Sequence, residues 1–393
     1  MQSKSWLLPD GIDELLPDEA ANLEKLRRKL LDSYVSWGYR LVMPPVVEYL
    51  DSLLTGTGKD LKKQTFQLID QLNGEQLGIR ADITPQVARI DSHQIRSNLP
   101  TRLCYVGSVL RTRLDGFSSS RSPLQIGAEL YGHKGIDSDA EILNIMVETL
   151  RISGIDDFFL DIGHVGILRS LAKQAKLNSD QESIIFDALQ RKAKSEINEI
   201  TEKLKLSKSS TNMFIALADL NGGAETLDRA EELLGEAPKE VLDAIEYLRN
   251  LTKILRIRMP EVPIHFDLAE LRAYRFHTGL VFAAFFSGQG NEIARGGRYD
   301  DIGKKFGRAR PATGFSSDLK ALLRHGVRDS SESDSIILAP FNTDPELELI
   351  VKSMREKGSI VIYELEGQPI DKKEMGVFKQ FQKTKDGWKV VPF

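Results

Sequence analysis

The chain has 393 residues, 41% of them apolar and 28% charged, with 57 acidic against 53 basic side chains. That is the make-up of a soluble globular protein long enough for two or three domains, and a formal charge of −4 offers no cationic platform for nucleic acid. No apolar run reaches the length of a membrane span, no hydrophobic signal region opens the chain, and the lone Cys104 allows no internal disulfide, so a cytoplasmic location is expected.

In chain order, Asp18 to Trp37 is expected to be helical. Leu23, Leu26, Leu30 and Tyr34 share one stripe, Pro17 precedes them and Gly38 stops them. Tyr39 to Val47 reads as extended, broken by Pro44-Pro45, which suits a sheet edge or an intersubunit contact. Gln64 to Ile69 and Glu75 to Ile79 flank Asn73-Gly74 as a hairpin. Arg102 to Leu110 and Leu124 to Tyr131 are strands joined by a long loop rich in Ser and Arg. Ser138 to Glu141 resembles a capping box opening a helix that runs to Ser153, ahead of Gly154. From about 167 to 260 the pattern turns helical and charged, and reads as an insertion. Strands return at Ile264 to Leu268 and Tyr274 to Phe286, and Asp318 to Arg324 is a closing helix. A Ser/Asp/Glu-rich linker then leads to a small α/β tail from 327 to 393. Its parts are a strand at Ile336 to Pro340, a helix near Glu346 to Lys357 and a strand at Ser359 to Tyr363. Antiparallel strands interrupted by a helical insertion place the main domain, 1–326, in the α+β class.

The most informative stretch is Leu124-Gln-Ile-Gly-Ala-Glu-Leu-Tyr131. Read as a strand, it sends Leu124, Ile126, Ala128 and Leu130 to a core. Gln125, Gly127, Glu129 and Tyr131 go to the opposite face, where the glycine leaves room for a small molecule. A solvated face with a bulge glycine is the plainer account. Gly78-Ile-Arg-Ala-Asp82-Ile-Thr84 puts a carboxylate and a hydroxyl two apart, fit to accept hydrogen bonds from a substrate ammonium. Thr84 before Pro85 equally fits a helix N-cap. Leu271-Arg272-Ala-Tyr274-Arg275-Phe-His277 sets cations and rings before an apolar strand, where an arginine could clamp a carboxylate. Ala294-Arg-Gly-Gly-Arg298-Tyr-Asp300 reads as a tight turn bearing cations.

Other patterns carry little. Thr55-Gly-Thr-Gly-Lys59 lacks the Walker spacing, no two of the six histidines stand four apart, and no Gly-x-Ser-x-Gly elbow occurs. No metal or cofactor is expected, and Cys104, among apolar neighbours, reads as an ordinary strand residue.

Together, Arg111 with Gln125-Ile-Gly-Ala-Glu129-Leu-Tyr-Gly, Gly296-Gly-Arg-Tyr-Asp300, Thr313-Gly-Phe315, Gly78 to Thr84 and Pro9 to Ala20 resemble the catalytic domain of histidyl-tRNA synthetases. The likeness covers roughly residues 5 to 325. It implies the class II aminoacyl-tRNA synthetase fold, an antiparallel sheet flanked by helices. It also implies a histidine site in which Asp82, Thr84 and Gln125 hold the ammonium and Glu129 the ring. Arg111 and Arg272 would face the carboxylate, with Tyr274 and His277 at the far wall. Asp82 stands where synthetases have a glutamate, and His277 where they have a tyrosine.

The departures cluster on the reaction side. The family's closing helix, Gly-Leu/Met-Glu-Arg-Leu, appears as Asp318-Leu-Lys320-Ala321-Leu322, so the arginine is lost and a carboxylate stands in the triphosphate's place. A charge-assisted contact of that kind is worth about 1.5–3 kcal/mol in binding, and roughly 10³-fold or more in a phosphoryl transition state. Arg113 replaces an adenine-reading glutamate and Arg275 an aspartate. Only 67 residues follow Gly326, ten basic against twelve acidic, where the family carries an anticodon domain of about a hundred.

A histidine site kept beside a dismantled adenylation side resembles the regulatory subunits of ATP phosphoribosyltransferase, which opens histidine biosynthesis. That likeness implies a non-catalytic chain that dimerises and joins the short catalytic subunit in a hetero-octamer. It would activate that subunit and pass on feedback inhibition by L-histidine, without tRNA. A working histidyl-tRNA synthetase, or another synthetase-derived ATP-dependent ligase, is the alternative.

Overall fold

The computed structural model describes residues 7–55, 59–114, 120–269, 276–287, 290, 292–326, 336–367 and 376–392. The chain divides into two compact units, Met1–Val327 and Arg328–Phe393. The strands of the first unit are β1 (Arg40–Leu41), β2 (Val47–Tyr49), β3 (Phe66–Ile69), β4 (Gln76–Ile79), β5 (Thr101–Ser108), β6 (Leu124–Tyr131), β7 (Phe158–His164), β8 (Asn221–Gly222), β9 (Ile264–Asp267), β10 (Leu280–Phe286), β11 (Glu292–Arg298) and β12 (Ala312–Asp318). Nine of them form one sheet in the order β1-β5-β6-β12-β11-β10-β7-β9-β8. Its centre, from β5 through β7, is antiparallel throughout, whereas β1 and β9 join it in parallel.

Helix α1 (Pro17–Ser36) has Pro17 in its first turn and buries Leu26, Leu30 and Tyr34. Full burial of side chains of this size contributes roughly 1.5–3 kcal/mol each. The helix ends before Gly38, whose φ of +82° suits glycine. Pro44-Pro45 then splits the expected extended segment. Only Arg40–Leu41 pairs with β5, because proline has no amide to donate to a ladder. β2 instead joins a separate three-stranded sheet, β2-β4-β3. The β3–β4 hairpin pairs Ile69 with Gln76 around a loop holding Asn73-Gly74, and Gly74 has φ +75°. Short helices α2 (Leu50–Leu54) and α3 (Lys59–Gln64) precede it, so its first strand begins later than expected.

Next come α4 (Thr84–Ile90), a π-helical turn at Asp91–Ile95, and α5 (Ile136–Ile152). The capping box expected at Ser138 is absent. The helix starts at Ile136, Ser138 donates back to the Gly135 carbonyl (2.7 Å), and Glu141 binds Arg102. α5 and α1 cover one face of the sheet, where Ile126, Ala128 and Leu130 meet Ile142, Met146, Leu30 and Tyr34.

Between β7 and β9 the chain is mainly helical. This stretch comprises α6 (Val165–Gln174), α7 (Ser179–Gln190), α8 (Lys194–Lys203), α9 (Lys208–Asp219), α10 (Glu225–Leu233) and α11 (Lys239–Arg258). It also lends the two-residue β8 to the edge of the main sheet. The strand anticipated from Tyr274 begins at Leu280, and its first two expected residues lie outside the described ones. After α12 (Ile302–Lys305), helix α13 (Leu319–His325) closes the unit with Asp318 as its N-cap.

Among the described residues the second unit has strands β13 (Ile336–Ala339), β14 (Val361–Tyr363), β15 (Val377–Thr384) and β16 (Gly387–Pro392), in the order β14-β13-β15-β16, and one helix, α14 (Pro345–Glu356). Leu347 and Val351 of α14 pack on Ile337, Ala339, Val361 and Phe381. The β15–β16 hairpin was not anticipated. Its exposed lysines and glutamines leave only Val377 and Phe381 buried on β15, too sparse a pattern to mark a strand.

Candidate functional site

The alternation expected of β6 holds. Ile126, Ala128 and Leu130 enter the core, while Gln125 (4% exposed) and Glu129 (1%) lie on the opposite face. That face is not solvated. On β5 the same face carries Leu103, Tyr105 and Gly107, which pair with Glu129, Gly127 and Gln125. A Cβ at Gly127 would overlap the Phe315 carbonyl and lie 2.5 Å from the Tyr105 hydroxyl. The space expected there for a ligand is therefore filled by Tyr105. Further across, Gly314 pairs with Glu129 and Gly297 with Gly314. A Cβ on Gly314 would overlap the Glu129 carboxylate, and one on Gly297 would stand 2.6 Å from the His277 ring. The two glycines thus make room for the Glu129 and His277 side chains, which lie over them.

Glu129 is gripped from two sides. The Tyr105 hydroxyl donates to Oε1 (3.1 Å) and the Tyr299 hydroxyl to Oε2. Burial pushes its carboxyl up to about 8, and the Asp82 charge adds to this; hydrogen bonds from Tyr299, Tyr105 and Thr84 only partly offset it. Phe276 stacks on Tyr299 at 5.1 Å and meets His277 edge-on at 5.5 Å.

The Arg80–Thr84 segment enters as a turn. Asp82 Oδ1 accepts the Thr84 amide (3.0 Å) and the Gln125 side-chain amide (2.8 Å), while Gln125 Oε1 accepts the Ile83 amide (2.9 Å). Gln125 therefore holds this turn against β6 from both ends. Thr84 is not a cap: the helix begins at Thr84 itself, and its hydroxyl lies 3.2 Å from that of Tyr105. Arg80 is a buried clamp on the carbonyls of Ser108 (2.8 Å) and Pro44 (2.7 Å). Arg111 is buried, and its Nε donates to the Ala81 carbonyl at 3.2 Å, beside Asp82.

Asp82, Thr84, Arg111, Gln125 and Glu129 are thus brought together, with His277 over the glycine floor. Arg272, Tyr274 and Arg275 lie outside the described residues. Two contributors were missed, Tyr105 and Tyr299. The signals were present: Tyr105 has the parity of Gly107 on β5, and Tyr299 closes the Gly296 to Asp300 motif. That motif is also not a turn. Gly296 and Gly297 lie within β11, because a Cβ at either would overlap or crowd a neighbouring strand's carbonyl.

The side read as dismantled is internally crosslinked. Asp318 does not stand as an open charge: it is buried, and its Oδ1 accepts the amides of Leu124 (3.1 Å) and Lys320 (3.1 Å). Lys320, beside Ala321, donates to Asp13 (3.1 Å) and to the Ser122 carbonyl (2.9 Å). Asp13 also accepts from Ser120, Ser122 and Arg324. Burial opposes its ionisation, but these four partners hold its carboxyl well below the usual range. Arg121 lies over the Phe66 ring at 5.4 Å and donates to the carbonyls of Arg111 and Asp10 at 2.9 Å each. Arg113 is exposed. Among the described residues no group of His, Cys, Asp and Glu could hold a metal ion, and no helix is long and apolar enough to cross a membrane.

The histidyl-tRNA synthetase family profile matches residues 11–322, and the profile of the ATP phosphoribosyltransferase subunit HisZ C-terminal domain matches residues 334–391. An ATP phosphoribosyltransferase regulatory subunit of Alkalilimnicola ehrlichii is 51% identical over 391 residues, covering 98% of this chain and 97% of the relative. One from Thioalkalivibrio sulfidiphilus is 52% identical and covers 99% of both. Among solved structures, an ATP phosphoribosyltransferase regulatory subunit/histidyl-tRNA synthetase from Bacillus halodurans superposes with a TM-score of 0.83 at 24% identity, over 95% of this chain and 97% of that one. A histidyl-tRNA synthetase from a Nostoc species gives 0.78 at 21% identity, over 99% and 97%. These two establish the class II synthetase-like fold. With the full-length relatives and both profiles in agreement, the chain belongs to the family of ATP phosphoribosyltransferase regulatory subunits.

Proposed function

We propose that this chain performs no chemistry of its own. It activates a short catalytic ATP phosphoribosyltransferase chain and carries the feedback inhibition of that chain by L-histidine. The observation that supports this most is the contrast across one sheet face. A buried carboxylate, Glu129, is poised between two phenols beside Asp82 and the glycine floor, whereas the neighbouring region is tied up by Asp13, Lys320 and Asp318. Glu129 would accept from the imidazole ring. Asp82, whose Oδ1 is already engaged, would offer Oδ2 to the ammonium, with the Thr84 hydroxyl and Gln125 Oε1 beside it. Arg111, with Arg272, would face the carboxylate; Tyr274 and His277 would bound the ring.

Self-association fits the same reading. Leu41, Met43, Val46, Val47, Tyr49 and Ile69 are exposed apolar side chains on β1, the Pro44-Pro45 segment and the small sheet, a surface suited to a second copy. The dimer would assemble with catalytic chains into a hetero-octamer, in the cytoplasm and without tRNA. Mixing the purified chain with a short-form catalytic subunit, then measuring ATP and phosphoribosyl pyrophosphate turnover with and without histidine, tests the proposal. Activation that histidine reverses is expected. Histidine-dependent ATP–pyrophosphate exchange by the chain alone would overturn it in favour of a synthetase.

A further inference from the structure

Behind the candidate site lies a buried ionic cluster that the binding chemistry does not use. Arg298, 7% exposed, meets the fully buried Asp139 of α5 with two bonds, Nε to Oδ2 and Nη2 to Oδ1, both 3.0 Å. Its remaining donors reach Ser138 Oγ (2.9 Å), the His133 carbonyl (3.1 Å) and Asp300 (3.2 Å). Asp139 also accepts from the hydroxyl of Tyr247, on α11 of the insertion. The Tyr247 ring lies 5.7 Å from that of His164, the N-cap of α6. One cluster therefore joins β11, α5 and both ends of the insertion.

Its position relative to Glu129 is what matters. Arg298 and Tyr299 are adjacent, and their side chains leave the chain on opposite faces, Tyr299 to Glu129 and Arg298 to Asp139. The next residue is fixed as well: the Asp300 amide donates to Thr278 Oγ1 (2.9 Å), and its carboxylate accepts the Ala312 amide (2.9 Å). A ligand ring that takes a Glu129 oxygen competes with the Tyr299 phenol. Residues 298 to 300 are tied on both faces, so a Tyr299 displaced together with its backbone would carry Arg298 with it. Asp139 has no solvent to fall back on, and the Tyr247 contact must readjust with it.

We infer that the Arg298–Asp139–Tyr247 cluster couples occupancy of the Glu129 site to the helical insertion, with Tyr247 as the positioning residue on the insertion side. This rests on the histidine-sensing reading above. It also gives that reading a physical route, since coupling requires an element that both sites bias.

Tyr247→Phe removes one hydroxyl and keeps the ring. In the isolated chain, histidine affinity by calorimetry is expected within about twofold of wild type. In the reconstituted complex, the fold-inhibition at saturating histidine should fall at least about fivefold, the lower end of ordinary coupling factors. In wild-type chain, adding histidine should change amide exchange in residues 243–251 of α11 more than in α7, a measurement that stands even if the variant folds poorly. If wild type binds no histidine, the sensing reading itself fails and this inference falls with it. If wild type binds but α11 exchange tracks α7, or a folded Tyr247→Phe is inhibited like wild type, the coupling is refuted while the sensor stands.

Discussion

Replacing Glu129 by glutamine is the sharpest single perturbation, because it affects binding and stability in separable ways. Glutamine keeps the shape and one carbonyl acceptor but removes the ionisable oxygen. At about pH 8.5, where the wild-type carboxyl is ionised, the loss of a charge-assisted hydrogen bond to the ligand ring is worth about 1.5–3 kcal/mol, so histidine affinity should fall roughly 10- to 150-fold. Stability moves independently. A glutamate ionises near 4.5 when unfolded, whereas burial holds Glu129 protonated up to about 8 in the folded chain. Between those values the native state binds more protons than the unfolded one, so wild-type stability falls as pH rises through that window and levels off above it. At about 1.4 kcal/mol per pKa unit, the ceiling is about 5 kcal/mol. Glu129→Gln lacks that slope. Denaturant unfolding of both proteins from pH 4.5 to 8.5 should show the variant gaining on wild type with rising pH. Parallel stability profiles would refute the account of this carboxylate, whatever the binding result.

Asp82→Asn should weaken histidine binding by one ionic contact, about tenfold, and should also loosen the Gln125-held turn; unchanged calorimetric affinity would remove Asp82 from the site. Asp13→Asn should lower the melting temperature at neutral pH but lose that effect at low pH. The depressed carboxyl of Asp13 contributes stability above its ordinary value of 3.8, and the contribution fades as pH falls through the folded value. Cys104 is fully buried with its thiol pushed up to about 12, so it should resist thiol reagents until the chain unfolds; fast labelling of native protein would contradict the packing of β5. Tyr299→Phe removes the phenol that competes with the ligand ring for a Glu129 oxygen, so histidine binding by calorimetry should tighten while assembly with the catalytic chain, checked by sedimentation, stays intact.

The two-residue period of β6, the stripe of α1, the helical insertion and the polar set Asp82, Thr84, Gln125 and Glu129 were all readable from residue order. Local geometry dictates each: a strand alternates faces whatever surrounds it, and a helix returns every 3.6 residues. Three things needed the folded chain. The glycines of Gly296 to Asp300 look like a turn along the sequence. Only the approach of the Gly314 and Leu280 carbonyls makes them strand residues. Asp318 reads as a charge in a cleft, but the neighbouring amides of Leu124 and Lys320 turn it into a cap. Tyr105 and Tyr299 lie 24 and 170 positions from Glu129, too far for any spacing rule to join them. Residue order thus named the polar groups that meet on one face of the sheet. The meeting of distant strands decided which of them hold a proton and which hold each other.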